Sequence, residues 1–269
     1  MSEDRIRVTI EDGVADVRLI RTDKMNALDD AMFEALVATG ERLKTEKGVR
    51  AVVLSGEGRA FCAGLDMGNF AKMASGERRG GGGIVDTPRT PGGANRAQQA
   101  SFVWREIPVP VIAAVHGVAF GGGFQVCLGA DMRYVAPDTK MSILEIKWGL
   151  IPDMAGMVLL RGLVRDDLAR ELTYSGRVLN GEEAVRVGIA TRVCEDPRAE
   201  ALAFAREIAG RNPDAIRAAK RLFALVADAD PKDIFMAESV EQGALIGSPN
   251  QREAVMASLE KRAGVFADS

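Results

Sequence analysis

The 269-residue chain reads as an α/β protein on three observations. Two short apolar runs of strand length, AVVLSG at 51–56 and VIAAVHG at 111–117, each lead into a glycine-bearing loop. Strand, turn and helix signals alternate through the first two thirds of the chain, the pattern of an α/β core. Beyond about residue 156 the pattern turns almost wholly helical. With 47% apolar and 27% charged residues, a chain of this size can bury a sizeable core as one large domain or a domain with an appended subdomain.

In chain order, residues 6–10 (IRVTI) and 14–20 (VADVRLI) alternate about Asp12-Gly13, which predicts a β-hairpin. Asp29 stands where a helix N-cap belongs, ahead of Met32, Phe33, Leu36, Val37 and Leu43 at helical spacing. The strand at 51–56 comes next. Residues 75–99 (SGERRGGGGIVDTPRTPGGANRAQQ) are too rich in glycine and proline to pack, so a solvated loop is predicted there, with a mobile cover over a site as the functional alternative. After the strand at 111–117 a helix begins near Gln125. Two amphipathic helices are marked by Ile216, Leu222, Phe223 and Val226, and by Phe235, Met236, Val240 and Leu245; Pro213, Pro231 and Pro249 sit near helix starts.

Composition excludes several functions. A net charge of −3 offers no basic face to nucleic acid. No stretch approaches membrane-spanning length, and the first ten residues, MSEDRIRVTI, hold no signal-like apolar run. Three spaced cysteines (Cys62, Cys127, Cys194) and a single histidine make neither a disulfide framework nor a standard zinc site. A reduced, cytoplasmic protein without a bound metal is expected.

The chemistry-bearing segments are two glycine turns. In SGEGRAFCAGLD (55–66) and GVAFGGGFQV (117–126) a buried strand ends and small residues follow. Backbone N–H groups at such turns, or at the helix start behind one, are free to donate. Two of them converging on one oxygen would stabilise developing negative charge. Neither turn carries G-x-G-x-x-G, a phosphate-binding G-x-x-x-x-G-K-[ST] or a G-x-S-x-G elbow. His116 has no nucleophile nearby in sequence and reads as structural.

The pair GRAFCAGLD and HGVAFGGGFQVCLGAD resembles the crotonase superfamily, the enoyl-CoA hydratase/isomerase family. The resemblance extends through KMNALD (24–29), LEIKWGLIPDMAG (144–156) and ELTYSGRVLNGEEAVRVGIATRV (171–193), five motifs in order over most of the chain. It implies a crotonase-like ββα spiral core over residues 1–200, holding the acyl-CoA site. A C-terminal helical region over 201–269 would build a homotrimer, or a hexamer of two trimers. It also implies an acyl-CoA thioester as substrate, with coenzyme A belonging to that substrate and no separate cofactor. The N–H groups of Ala63 and Gly122 would form the oxyanion hole. Ala63, Gly64, Leu65 and Asp66 would line the coenzyme A path opposite Met25 and Ala27.

Hydratases of the family use two glutamates. The second matches Glu145; the first falls on Gln125, where this chain departs from the pattern. A carboxamide can orient a group by hydrogen bonds but cannot carry a proton at useful pH. Asp153, eight positions after Glu145, resembles the acid of dienoyl-CoA isomerases; the alternative is a helix N-cap ahead of Met154. The leading expectation is double-bond isomerisation through Glu145. Hydration with Gln125 positioning water is the second, and a non-catalytic acyl-CoA-binding or partner-binding protein the third.

Overall fold

The computed structural model describes residues 4–75, 82–226 and 229–268. Strands β1 (Ile6–Glu11) and β2 (Val14–Leu19) form the predicted hairpin, with Asp12 at φ 49° and Gly13 at φ 78° making its turn. Helix α1 (Asp30–Thr45) is capped by Asp29, whose carboxylate accepts from the Met32 N–H at 2.8 Å. Met32, Phe33, Leu36 and Leu43 lie on its buried face, as the spacing predicts. Strand β3 (Ala51–Gly56) is buried throughout. Helices α2 (Met67–Ala74), α3 (Gly82–Val85) and α4 (Arg96–Glu106) come after it.

The expectation of a solvated loop over residues 75–99 needs correcting at its last five residues, while 86–94 are largely exposed turns and bends as predicted. Asn95 and Gln98 form a reciprocal capping box that starts α4, and Gln99 and Ala100 are already buried. Glycine content concealed the cap, because asparagine followed three residues later by glutamine is itself a helix-start signal. Of the stretch 75–99, for which a mobile cover was the alternative, residues 76–81 lie outside the described residues.

Strand β4 (Val111–Val115) leads into β5 (Val118–Phe120) and helix α5 (Gly122–Leu128); β6 (Met132–Val135) leads into β7 (Lys140–Ser142) and a 3₁₀ turn at Glu145–Trp148. Each of these turns gives one strand to the large sheet and one to a small second sheet. The large sheet runs β1-β2-β3-β4-β6-β8, where β8 is Arg192–Val193, and β5 pairs β7 in the small one. All pairings after the hairpin are parallel. This is the ββα spiral. Short helices α6 (Gly156–Leu160), α7 (Asp166–Ser175) and α8 (Gly181–Arg186) complete it.

Helix α9 (Pro197–Ala209) lies on the outer face of the large sheet and buries Ala201, Ala205 and Ala209 against Val14, Val53 and Ile112. The boundary expected at 200/201 therefore falls inside a helix that belongs to the core. Helices α10 (Pro213–Val226), α11 (Pro231–Leu245) and α12 (Pro249–Glu260) start at the three prolines. Ala218 of α10 and Ala257 of α12 are buried, but the large apolar side chains face outward: Phe223 is 73% exposed, and α11 buries none of its residues. Among the described residues no helix is long and apolar enough to cross a membrane, and no cluster could hold a metal ion.

Candidate active site

Three chain segments running side by side arrive at one edge of the small sheet. Cys62 bridges Ala119 of β5, with the Cys62 N–H donating to Val118 O and the Phe120 N–H to Cys62 O, both at 3.1 Å. On the other side β5 pairs β7 in the register Phe120↔Ser142, extended by the Gly121 N–H donating to Ser142 O at 3.0 Å. The segments are parallel, so their continuations all emerge at the same end. Those continuations are the turn 63–66, the turn 121–123 and Glu145.

The first turn is strapped to residues 25–28. The Leu28 N–H donates to Gly64 O at 2.8 Å, and the Asp66 N–H to Leu28 O at 3.0 Å. In such a bridge the N–H of the intervening residue, Leu65, faces away from Leu28. It therefore faces the side on which Gly64 abuts Phe120 and Gly122. The expectation for Ala63 is corrected here: its N–H donates to Met25 O at 3.0 Å and is not available. Among the described residues, the Leu65 and Gly122 N–H groups have no backbone acceptor. Gly122 opens α5, where no helical carbonyl precedes it.

Met25 and Asn26 are consecutive left-handed residues, at φ 49° and 56°. The buried Asn26 amide holds them by donating to Glu57 O at 3.0 Å and Ala60 O at 2.9 Å. Ala27 is buried. Asp66 does not point freely into the path expected for it. Its carboxylate pairs with Arg21 at 2.7 Å and accepts from the Gly68 N–H at 2.8 Å. Arg21 also donates to Ala27 O at 2.9 Å and lies 3.5 Å from Asp29. Burial pushes Asp66 up, but the Gly68 N–H and the Arg21 guanidinium outweigh it and leave its pKa below the ordinary value. These ties knit the two walls, 25–28 and 63–66, into one piece.

The second turn meets the acid. Gly121, at φ 50°, is where a Cβ would lie 3.4 Å from Glu145 Oε1, so the backbone there both turns left-handed and lets the carboxylate approach. Glu145 is buried, only 9% exposed. Its Oε1 accepts from Gln125 Nε2 at 2.6 Å, while its buried Oε2 has no partner among the described residues. Burial raises its pKa above the ordinary value; its hydrogen bonds oppose the shift and the Asp153 charge adds to it. Gln125 Oε1 accepts from the Met154 N–H at 2.8 Å and the Gly156 N–H at 3.0 Å.

Asp153 does not serve as a helix N-cap. Ala155 occupies the cap position of α6 with no side-chain bond. Asp153 is exposed as a residue, yet the protein surrounding its carboxyl raises its pKa by desolvation. Beside the site, Phe70 of α2 stacks on Trp148 with ring centroids 4.4 Å apart, and Lys147 lies over the indole at 5.4 Å. His116 is engaged elsewhere, with its Nε2 meeting Gly58 O at 2.9 Å.

Sequence reasoning missed the Leu65 donor, the Arg21 clamp and the two N–H groups that hold Gln125. None had a local signal, since each depends on which strand lies alongside. Two unpaired backbone donors near a buried carboxyl make a site able to stabilise developing negative charge on an oxygen while a proton is moved, the equipment of an acid–base enzyme. The enoyl-CoA hydratase/isomerase family model matches residues 9–269. The chain belongs to that family, within the crotonase superfamily. It is similar to mouse mitochondrial methylglutaconyl-CoA hydratase, 32% identical over 97% of this chain and 83% of that protein. It is also similar to mevalonyl-coenzyme A hydratase of Beauveria bassiana, 30% identical over 94% of this chain and 91% of that one. The crystal structure of enoyl-CoA hydratase from Bacillus anthracis superposes with a TM-score of 0.87 at 27% identity, covering 98% and 99% of the two chains.

Proposed function

We propose that the protein isomerises a carbon–carbon double bond of an acyl-CoA thioester, with Glu145 as the one proton carrier. The observation that carries this reading is Glu145 Oε2, a buried carboxylate oxygen without a partner among the described residues, in a group whose burial raises its proton affinity. In the reaction Oε2 takes a proton from a carbon next to the double bond. The electron pair moves through the thioester, and the carbonyl oxygen takes up the negative charge. The N–H groups of Leu65 and Gly122, in place of Ala63 and Gly122, stabilise that oxygen. The same carboxyl then returns the proton to the far end of the original double bond, so no proton or electron is gained or lost. Met25, Ala27 and Gly64 are backbone walls for the thioester arm, and Asp66 supports them through Arg21. The reaction needs no cofactor beyond the coenzyme A of the substrate, and three free cysteines suit a reducing cytoplasm.

Hydration is the second reading. The mouse, fungal and bacterial relatives carry the name hydratase, and Asp153, which acts electrostatically on Glu145, offers a second proton-transfer group. The deciding experiment incubates purified protein in deuterium oxide with 2-enoyl-, 3-enoyl- and dienoyl-CoA. Isomerisation gives a shifted double bond and no hydroxyacyl product, with deuterium entering only to the extent that the Glu145 carboxyl exchanges its proton with solvent between the two transfers. Accumulation of 3-hydroxyacyl-CoA establishes hydration instead, and neither product nor exchange would leave a binding protein.

The exposed apolar residues of the last helices (Phe223, Phe235, Met236, Val240, Leu259) support assembly of the C-terminal helical region, expected over 201–269, into a homotrimer or a pair of trimers. Light scattering at micromolar concentration should give a mass three or six times that of the chain; a monomer contradicts the assembly.

A further inference from the structure

We propose that Gln125 is a positioning residue that selects which oxygen of Glu145 reacts, and that it does so through an amide whose direction the backbone dictates. The inference rests on the reading of Glu145 as the base. Gln125 Oε1 accepts two backbone N–H groups, from Met154 and Gly156. The reversed amide would set its NH₂ against two donors and its oxygen against the carboxylate, so only one orientation satisfies the site. In that orientation Nε2 donates to Glu145 Oε1 at 2.6 Å. Oε1 is thereby held back against Gly121, and Oε2 is left bare. The same amide also ties α5 to the loop that carries Asp153, so one side chain sets the relation between both carboxyls.

The arrangement explains why the carboxylate cannot simply be moved to the other side of this contact. With glutamate at position 125 and glutamine at position 145, the acid would accept the Met154 and Gly156 N–H groups on one oxygen and the new amide on the other. Both oxygens would be occupied, and no bare oxygen would remain to take a proton. The group titrating in wild type is Glu145. Around it, Asp153 bears on it through charge, α5 presents the neutral Gln125, and Lys147 is drawn over Trp148. On α7, which packs against 145–148, Asp166, Asp167 and Glu171 are paired with Arg170, Arg165 and Arg177.

Two measurements test this. The first needs no substrate: isotope-edited infrared titration of the Glu145 carboxyl in the free protein. The Gln125 donor favours the charged form, so Gln125→Met, similar in length and without the amide, should move the Glu145 titration to higher pH. The second is turnover of the exchanged pair, Gln125→Glu with Glu145→Gln, which should lie at least about 100-fold below wild type, within the range for loss of a general base. Gln125→Met itself should lower kcat about tenfold, leave KM within a factor of about three and shift the acidic limb of the pH profile with the infrared value, an effect smaller than removal of the base itself. Acyl-CoA binding and circular dichroism establish that each variant is folded. An unmoved Glu145 titration in folded Gln125→Met overturns the proposal, as does an exchanged pair within about tenfold of wild type. A shifted titration in a protein with no acyl-CoA turnover would retire the catalytic reading alone.

Discussion

The two glycine turns do similar backbone work but are anchored by different physics. The turn at 63–66 is held by charge: Asp66, Arg21 and Asp29 form a partly buried network, joined by Arg5, whose guanidinium donates to Asp29 at 2.8 Å. The turn at 121–125 is held by a neutral amide and close packing, with the acid against it, Glu145, left half-satisfied. A wall that only has to stay still is well served by a paired ion network. A group that must accept a proton is not, because a cation beside it would hold its pKa down.

The largest effect should come from the second turn's acid. Glu145→Gln keeps the shape and removes the transferable proton, so kcat should drop ~10²–10⁴-fold while acyl-CoA affinity, read by calorimetry, stays put. Wild-type turnover in this variant would end the one-carboxylate mechanism. Turnover of wild type should rise with pH as Glu145 ionises, at a pH above the usual carboxylate range. Stability runs the other way. A carboxyl whose folded pKa is raised favours the folded state at low pH, and that contribution is lost as pH rises through the folded pKa. Glu145→Gln should therefore raise the melting temperature at about pH 8 more than at about pH 4.

Next in size is Gly122→Ala. A Cβ there would lie 2.7 Å from Leu28 Cδ1 and 2.8 Å from Met154 Sδ, so the donor must shift. Loss of one such donor costs about 10²–10³ in kcat, and kcat within a few-fold of wild type would show that Gly122 is not a donor.

Smaller again is Arg21→Ala, which breaks the charged anchor. KM should rise several-fold with little change in kcat, and thermal stability should fall by roughly 1.5–3 kcal/mol, the range for hydrogen bonds to charged groups. A kcat loss as large as that of Gly122→Ala would erase the distinction between the turns. Because the Asp66 pKa is held low, this anchor is fully present above the unfolded value of 3.8 and is lost as pH falls through the folded value.

The smallest is Asp153→Asn. With no cap to lose, stability should change little, and under isomerisation kcat should fall by less than about tenfold, below the range for a general acid or base. A loss matching that of Glu145→Gln would make Asp153 a second proton carrier.

The hairpin at Asp12-Gly13, the Asp29 cap, the buried 51–56 and 111–115 strands and the proline starts of the last helices were all legible, because each rests on local chemistry. Glu145 was legible as a carboxylate in an apolar run. What escaped is non-local. Ala63 and Leu65 look alike in sequence as backbone donors; only the alignment with Met25–Leu28 occupies one and spares the other. Phe223 and Phe235 carry helical spacing that predicts an apolar face without saying what covers it, and the chain's own core does not.

The three parallel segments that meet at β5 also fix when the site can exist. Cys62, Ala119 and Met141 are far apart along the chain, and each pairing closes a long loop whose entropy cost comes before any contact is gained. The helices can form early on local contacts, but the reactive edge has no local precursor. During refolding from denaturant, acyl-CoA binding should return more slowly than the far-ultraviolet helical signal, and no fragment ending before β7 can hold the site at all.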